Sequence, residues 1–291
     1  MEFRENDSSE ANYIEAKQAE KIYPTLGQSW GLFGILIGTM LITGLVAAFI
    51  TDVFKRAKFA NELTNSLSDY LSLVAYVLSF ALTFILVRYY VKGCYIRTVS
   101  ISTRSAPAWI FLLLVLATPA MSVLVESIVV LIPMPESLEA MFKNMVKPTF
   151  ASFLTAVVAA PVLEEIFCRG IILEGLLRNG YRSRDAVLWS AFIFAVMHMN
   201  PWQGVAAMTI GCFAGWIYVK TRSLWPCIFI HFLNNCLAFI GLIITRDGSD
   251  DEISDLTGEA YPFVLAVSAL VFAACIYVFR TKFAAGEERA N

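Results

Sequence analysis

Charged residues are scarce in this chain. Asp, Glu, Lys and Arg together make up 16% of its 291 residues, whereas a soluble domain carries about 25%. The 22 Lys and Arg and the 24 Asp and Glu give a net charge of −2, so the chain has no basic field that would attract nucleic acid. The shortage of charge therefore excludes an ordinary soluble domain, and no nucleic-acid partner is expected.

Paired cysteines and the common hydrolase motifs are also lacking. The six cysteines lie singly in or beside apolar runs, without a CxxC pair. The only two histidines, His198 and His231, do not belong to an HExxH zinc motif, and there is no GxSxG serine motif. The cysteines are therefore interpreted as small core residues, and neither a soluble-type zinc helix nor a serine nucleophile is indicated.

Long hydrophobic runs are abundant, and hydrophobic residues make up 58% of the chain. Windows of about 20 apolar residues are typical of membrane-spanning helices. Five windows are clear, and polar residues divide the apolar region 149–220 into three more. The predicted spans are 30–50, 70–91, 108–132, 149–177, 186–199, 204–219, 224–244 and 261–279. The sequence thus predicts an all-α, polytopic membrane protein of about eight transmembrane helices that enclose a polar intramembrane cavity.

The polar ends bound one membrane domain. Residues 1–29 predict a polar N-terminal tail, residues 30–280 the membrane domain with a catalytic core at about 149–245, and residues 281–291 a C-terminal tail. Most Lys and Arg outside the spans fall on the side of the N terminus, although a basic cluster that begins at Lys55 does not. The positive-inside rule then predicts a multi-pass protein with both termini in the cytoplasm. The expected location is the inner membrane of a bacterial cell.

Polar side chains inside the predicted spans are concentrated in three motifs. The motifs are EEIFCR at 164–169, FAVMH at 194–198 and HFLNN at 231–235. An ionised side chain in hydrocarbon costs on the order of 3 kcal/mol, so such residues are functional candidates. The three motifs are therefore expected to face a common polar cavity.

Helical spacing assigns different roles within the motifs. Residues four apart share a helix face, so Arg169 is expected to pair with Glu165. Glu164 points about 100° away from that face and is left without a cation nearby in sequence. The same spacing places His231 and Asn235 on one face of their helix.

These groups suit hydrolysis of a peptide bond inside the membrane. Glu164 would take a proton from water, and the two histidines would position that water. His231 and Asn235 would stabilise the oxyanion of the tetrahedral intermediate. A metal variant stays open, because the set Glu164, His198 and His231 is a common catalytic zinc ligand set.

The three motifs, in this order, resemble the EExxxR, FxxxH and HxxxN/D motifs of the CAAX-protease and bacteriocin-processing family of intramembrane proteases, which includes the type II CAAX prenyl endopeptidases. The resemblance covers about residues 150–240. It implies a membrane-associated protein or peptide substrate, with lipidation left open. It also leaves zinc open, because both a metalloprotease and a metal-free glutamate mechanism are proposed for the family.

The resemblance implies roles for six residues. Glu164 and His198 would activate the hydrolytic water. His231 and Asn235 would stabilise the oxyanion, and Glu165 and Arg169 would support the site.

Two other classes of function remain open at this stage. A noncatalytic member of the same family could act in bacteriocin immunity or as a scaffold, and its function would survive Glu164→Gln. A transporter also places ionisable groups in its bundle. Against a transporter, the sequence has no inverted repeat, and its intramembrane polar groups cluster in one half of the chain.

Overall fold

The structure is a computed structural model that describes residues 22–57, 59, 61–93, 104–135, 138, 147–245 and 258–290. Every element with described bounds is a helix, which confirms the all-α prediction. The helices are α1 Leu26–Arg56, α2 Asn61–Gly93, α3 Ala108–Val129, α4 at residues 150–178, α5 Ser183–Met197, α6 Pro201–Thr221, α7 Trp225–Thr245 and α8 Tyr261–Ala290, with a short 3₁₀ turn Gly258–Ala260 before α8. Most of the predicted N-terminal tail lies outside the described residues.

Five helices in the described part of the chain are long and apolar enough to cross a membrane. They are Leu26–Arg56, Asn61–Val91, Ala108–Val129, Trp225–Ile244 and Gly258–Ala284. These helices coincide with the five clear hydrophobic windows and make the chain an integral membrane protein. The other three predicted spans are the helices α4, α5 and α6, which carry most of the polar motifs and are not among these five.

The packed core lies beside α4. Phe80 of α2 and Phe167 of α4 are fully buried and meet edge to face, with ring centroids 6.0 Å apart. Leu36 of α1 and Ile193 of α5 are also fully buried. Large apolar side chains such as Leu45 are instead exposed on the outer faces of the bundle, where hydrocarbon is the expected solvent.

Helix α4 is not a uniform α-helix, although the hydrophobic pattern predicts one continuous span. Two π-helical stretches, Leu154–Ala159 and Ile166–Leu173, flank the α-helical stretch Ala160–Glu165. Hydrogen bonds in a π-helix join residues five apart, and such distortions are frequent at functional sites. The two distortions bracket Glu164 and the residue after it.

The turn between α5 and α6 is shorter than hydrophobicity alone predicts. Asn200 caps α6, and its side-chain oxygen accepts hydrogen bonds from the backbone N–H groups of Trp202 and Gln203 at 3.0 and 3.4 Å. Pro201 occupies the first helical position. Asn and Pro are favoured at these two positions, so α6 begins earlier than expected. The tight turn places His198 directly after the end of α5.

Helices α5 and α6 pack at close range because α6 carries two glycines four residues apart. A Cβ atom on Gly211 would lie 2.9 Å from the Cβ of Ala191, and one on Gly215 would lie 3.0 Å from Val187. Small residues at this spacing let membrane helices approach closely.

Gly211→Ala is therefore expected to destabilise the protein by about 1–3 kcal/mol, because the added methyl group overpacks the α5–α6 contact. The matched control is Gly34→Ala, since an added Cβ there meets nothing within 4 Å. Thermal unfolding in detergent measures the difference. Equal melting temperatures for the two variants would contradict this account of the contact.

Glu174 is a buried carboxylate that anchors the C-terminal end of α4. Oε1 of Glu174 accepts a hydrogen bond from Nε of Arg178 at 2.7 Å. Its Oε2 accepts from the Tyr218 hydroxyl at 3.1 Å and from Nη1 of Arg222 at 3.0 Å. Both oxygens are thus satisfied, and the bonds fix α4 against the end of α6.

Candidate active site

Glu164 is the carboxylate around which the polar motifs gather. Its Oε1 accepts a hydrogen bond from the hydroxyl of Tyr76 on α2 at 2.6 Å. Its Oε2 is buried without a hydrogen-bond partner among the described residues and lies 3.9 Å from Nε2 of His231. An unpaired buried carboxylate oxygen is costly in free energy. Such an atom is a strong acceptor for a small polar molecule in the site.

Glu164 and His198 line the same cavity. Its volume is about 110 Å³, which compares with roughly 30 Å³ for one water molecule in the liquid. Apolar side chains such as Leu36, Met40 and Met197 form much of the remaining wall. The cavity therefore brings one carboxylate and one imidazole together in a mostly apolar setting.

His198 is held by the backbone of its own helix. Its Nδ1 lies 2.9 Å from the carbonyl oxygen of Phe194. A carbonyl oxygen can only accept, so Nδ1 donates, and the neutral ring keeps its lone pair on Nε2. The Phe194 ring meets the imidazole edge to face at 5.0 Å. His198 is thus oriented to offer an acceptor nitrogen.

The predicted pair of Glu165 and Arg169 is present and completely buried. Nη1 of Arg169 donates to Oε1 of Glu165 at 2.8 Å, and both side chains have zero exposure. Nη2 of Arg169 donates to the carbonyl oxygen of Gly211 at 3.0 Å. The guanidinium also lies 4.7 Å from the centroid of the Phe194 ring. The pair therefore ties α4 to α5 and α6.

His231 lies between the two carboxylates of the first motif. Its Nδ1 is 3.2 Å from Oε1 of Glu165, and its Nε2 faces Glu164. Because Oε1 of Glu165 is the oxygen paired with Arg169, it accepts, and Nδ1 of His231 is the donor. His231 thus connects the supporting ion pair with Glu164.

The two asparagines form a short chain of hydrogen bonds. Nδ2 of Asn235 donates to the carbonyl oxygen of Ala156 in the first π stretch at 2.8 Å. Nδ2 of Asn234 donates to Oδ1 of Asn235 at 3.2 Å, and Ser122 on α3 donates to Oδ1 of Asn234 at 3.1 Å. Asn234 therefore joins helices, while Asn235 bonds α4 and still carries a second N–H.

A metal site is not apparent in this part of the molecule. Within the described ranges, no group of three or more His, Cys, Asp or Glu side chains is arranged to hold a metal ion. Of the predicted zinc ligands, Glu164 is engaged through Oε1 by Tyr76, and His231 is engaged through Nδ1 by Glu165. These bonds use one oxygen of Glu164 and one ring nitrogen of His231 and leave the other ligand atom of each, so Glu164, His198 and His231 as zinc ligands stay a prediction.

Two contacts in the site could not be predicted from the sequence. Tyr76 lies in an apolar run of α2 with no motif around it, so nothing in the sequence marks its bond to Glu164. Gly211 contributes a backbone carbonyl, which every residue type possesses. Both contacts come from helices remote in sequence and depend on how the bundle packs.

Comparison with known families supports the resemblance of the motifs. Residues 146–237 match the family model described as Rce1-like, type II CAAX prenyl endopeptidase Rce1-like. The matched segment contains all three polar motifs. No curated protein and no solved structure matches the chain.

Proposed function

We propose that this chain, which over residues 146–237 is an Rce1-like member of the CAAX-protease and bacteriocin-processing family, is an intramembrane endopeptidase whose water is activated by Glu164 and His198. One observation carries the proposal. Among the described residues, Oε2 of Glu164 has no hydrogen-bond partner, and Glu164 lines the same cavity as His198.

In the first step, water attacks the carbonyl carbon of the scissile peptide bond. Oε2 of Glu164 takes a proton from the water as the new C–O bond forms. Nε2 of His198 accepts the other O–H and fixes the direction of attack. Tyr76 holds Oε1, so the carboxylate does not rotate away from the water.

The carbonyl electrons move onto oxygen, and the resulting oxyanion needs donors. The second N–H of Asn235 supplies one. His231 supplies another only when Nε2 also carries a proton, because its Nδ1 proton is directed at Glu165. As the C–N bond breaks, protonated Glu164 gives its proton to the leaving amine. The products are first a carboxylic acid and an amine, with Glu164 again ionised, and the acid proton then passes to the amine to give a carboxylate and an ammonium group.

The proposed substrate is a membrane-associated protein or peptide, cut close to its membrane-embedded or lipidated segment. The cavity lies within a bundle of apolar helices, and Leu36, Ile37 and Met40 of α1 form one wall of it. Such a wall favours an apolar chain next to the scissile bond.

The proposal is tested by incubating the purified protein with a prenylated CAAX peptide and its unprenylated counterpart, each with and without a strong chelator. We expect cleavage at one peptide bond, read by mass spectrometry of the products. No cleavage of either peptide would contradict the proposal for this substrate class. Loss of cleavage on chelation, restored by added zinc, would contradict the metal-free mechanism.

His198→Ala is expected to lower kcat by about 10²–10⁴-fold, because the water loses the acceptor that directs it. The control is Thr209→Ala, since Thr209 is exposed on α6 and its hydroxyl bonds its own helix. Peptide cleavage by the two purified variants measures the effect. Equal turnover by both variants would remove His198 from the mechanism.

Tyr76→Phe is expected to lower kcat by about 10- to 100-fold with little change in KM, because the loss of one hydrogen bond to a carboxylate is worth about 1.5–3 kcal/mol. The ring still packs on Phe80, whose centroid is 5.3 Å away, so the fold should be kept. Tyr70→Phe changes an exposed tyrosine of the same helix and serves as the control. An unchanged kcat for Tyr76→Phe would show that Glu164 needs no support from α2.

A further inference from the structure

A cavity larger than the catalytic one runs along the seam between α1 and α2. Its volume is about 530 Å³. Unlike the outer faces of these helices, its wall carries a series of hydroxyl groups. They belong to Thr43, Thr51, Ser68, Ser72 and Ser79. We call this cavity the α1–α2 groove.

The α1–α2 groove adjoins the catalytic cavity. Met40 and Tyr76 line both of them. The Tyr76 hydroxyl that donates to Glu164 therefore stands where the two spaces meet. Residues of α1 line both spaces. Leu36 lines the catalytic cavity, and Ala47, further along the helix, lines the groove.

The outer end of the α1–α2 groove is charged. Asp52 and Lys55 line it, and Asp52 is bonded to Arg56 at 2.6 Å with both side chains largely exposed. From Met40 to Lys55 the helix rises about 22 Å. The groove thus extends from the polar end of the α1–α2 hairpin to the level of the catalytic carboxylate.

Beyond its inner end the seam is closed. The Thr39 hydroxyl of α1 lies 3.0 Å from the Ser79 carbonyl oxygen and 2.9 Å from the Thr83 hydroxyl of α2, which donates to that carbonyl at 2.8 Å. These bonds hold α1 against α2 at this level. Within the described residues, the way inward from the α1–α2 groove therefore passes Met40 and Tyr76, which line both spaces.

The lining of the groove is suited to water. The hydroxyls of Thr43, Thr51 and Ser72 donate to carbonyls of their own helices at 2.8 to 2.9 Å, which leaves oxygen lone pairs that can accept from a guest molecule. Ala48 and Ala75 contribute small side chains to the wall. Water finds acceptors at these hydroxyl groups, which a lipid chain would leave unused.

We propose that the α1–α2 groove is the route by which water reaches Glu164 from the end of the bundle near Lys55. This inference rests on the proposed function, because hydrolysis consumes one water molecule in each turnover. Such a route brings water to a catalytic base that lies among apolar helices.

The test is the reactivity of single introduced cysteines in lipid nanodiscs towards a charged, membrane-impermeant methanethiosulfonate. Ala48→Cys and Ala75→Cys place thiols in the groove. Leu45→Cys and Val74→Cys place them on the outer faces, where the native side chains are 70% and 57% exposed. The groove cysteines are expected to react at least about tenfold faster, because the reactive thiolate forms in water and not in hydrocarbon. Mass spectrometry identifies the labelled cysteine, and labelling of the wild-type protein gives the background from the native cysteines.

Equal rates at all four positions, or no labelling in the groove, would overturn the inference. The inference would also be overturned if saturating substrate peptide abolished the labelling, because the groove would then bind the peptide. Ala48→Trp should slow the labelling of Ala75→Cys and lower kcat, since the larger side chain narrows the groove.

Labelling does not depend on catalysis, so it is repeated in the Glu164→Gln background. If the groove labels but Glu164→Gln still cleaves peptide, the proposed function fails and the water route stands. If the groove does not label while Glu164→Gln is inactive, only the water route fails.

Discussion

Glu164→Gln is expected to lower kcat by about 10²–10⁴-fold while the protein stays folded. Glutamine has the same shape as glutamate, and its carbonyl oxygen still accepts the hydrogen bond from Tyr76. It cannot take a proton from water at the catalytic step. Peptide cleavage and thermal unfolding of the same preparation separate the two effects.

The matched control is Glu174→Gln. Glu174 is also a buried carboxylate on α4, but it bonds Arg178, Tyr218 and Arg222 away from the catalytic cavity. This control is expected to lose stability and to retain turnover in the fraction that remains folded. Wild-type turnover by Glu164→Gln would rule out the proposed base. A biological activity that survives this substitution would favour the noncatalytic role.

Arg169→Ala is expected to lower the free energy of unfolding by about 3–5 kcal/mol, because it leaves the buried carboxylate of Glu165 without a counter-charge. The carbonyl oxygen of Gly211 loses its donor in the same substitution. Turnover should fall as well, since Glu165 orients His231. Unfolding in denaturing detergent measures the stability of the variant against the wild type.

The double variant Glu165→Gln with Arg169→Met tests whether the lost charge pairing is the cause. Removing both charges from a buried pair is often nearly neutral, so most of the lost stability should return. Turnover should not return fully, because a neutral amide is a weaker partner for His231. A double variant as unstable as Arg169→Ala would show that charge pairing is not the reason.

The features that could be predicted from sequence are those that depend on hydrophobicity or on spacing within one helix. The five clear spans appear as five long apolar helices. Glu165 and Arg169 pair because residues four apart share a face, and their pairing survives the π distortion that starts at Ile166.

The features that could not be predicted depend on how helices pack. Helical periodicity alone does not reveal the two π stretches around Glu164, because they change the hydrogen-bond register and not the pattern of apolar residues. The bond from Tyr76 joins residues 88 positions apart. The close approach at Gly211 depends on Ala191 across the α5–α6 contact.

The central claim is that Glu164 activates water and does not itself attack the peptide. A single turnover in water enriched in ¹⁸O, with enzyme in excess over peptide, tests it most directly. Mass spectrometry reads the new carboxylate of the product and the enzyme peptide that contains Glu164. The account predicts one ¹⁸O atom in the product and none in Glu164. Incorporation of ¹⁸O into Glu164 would instead reveal an acyl-enzyme intermediate and contradict the account.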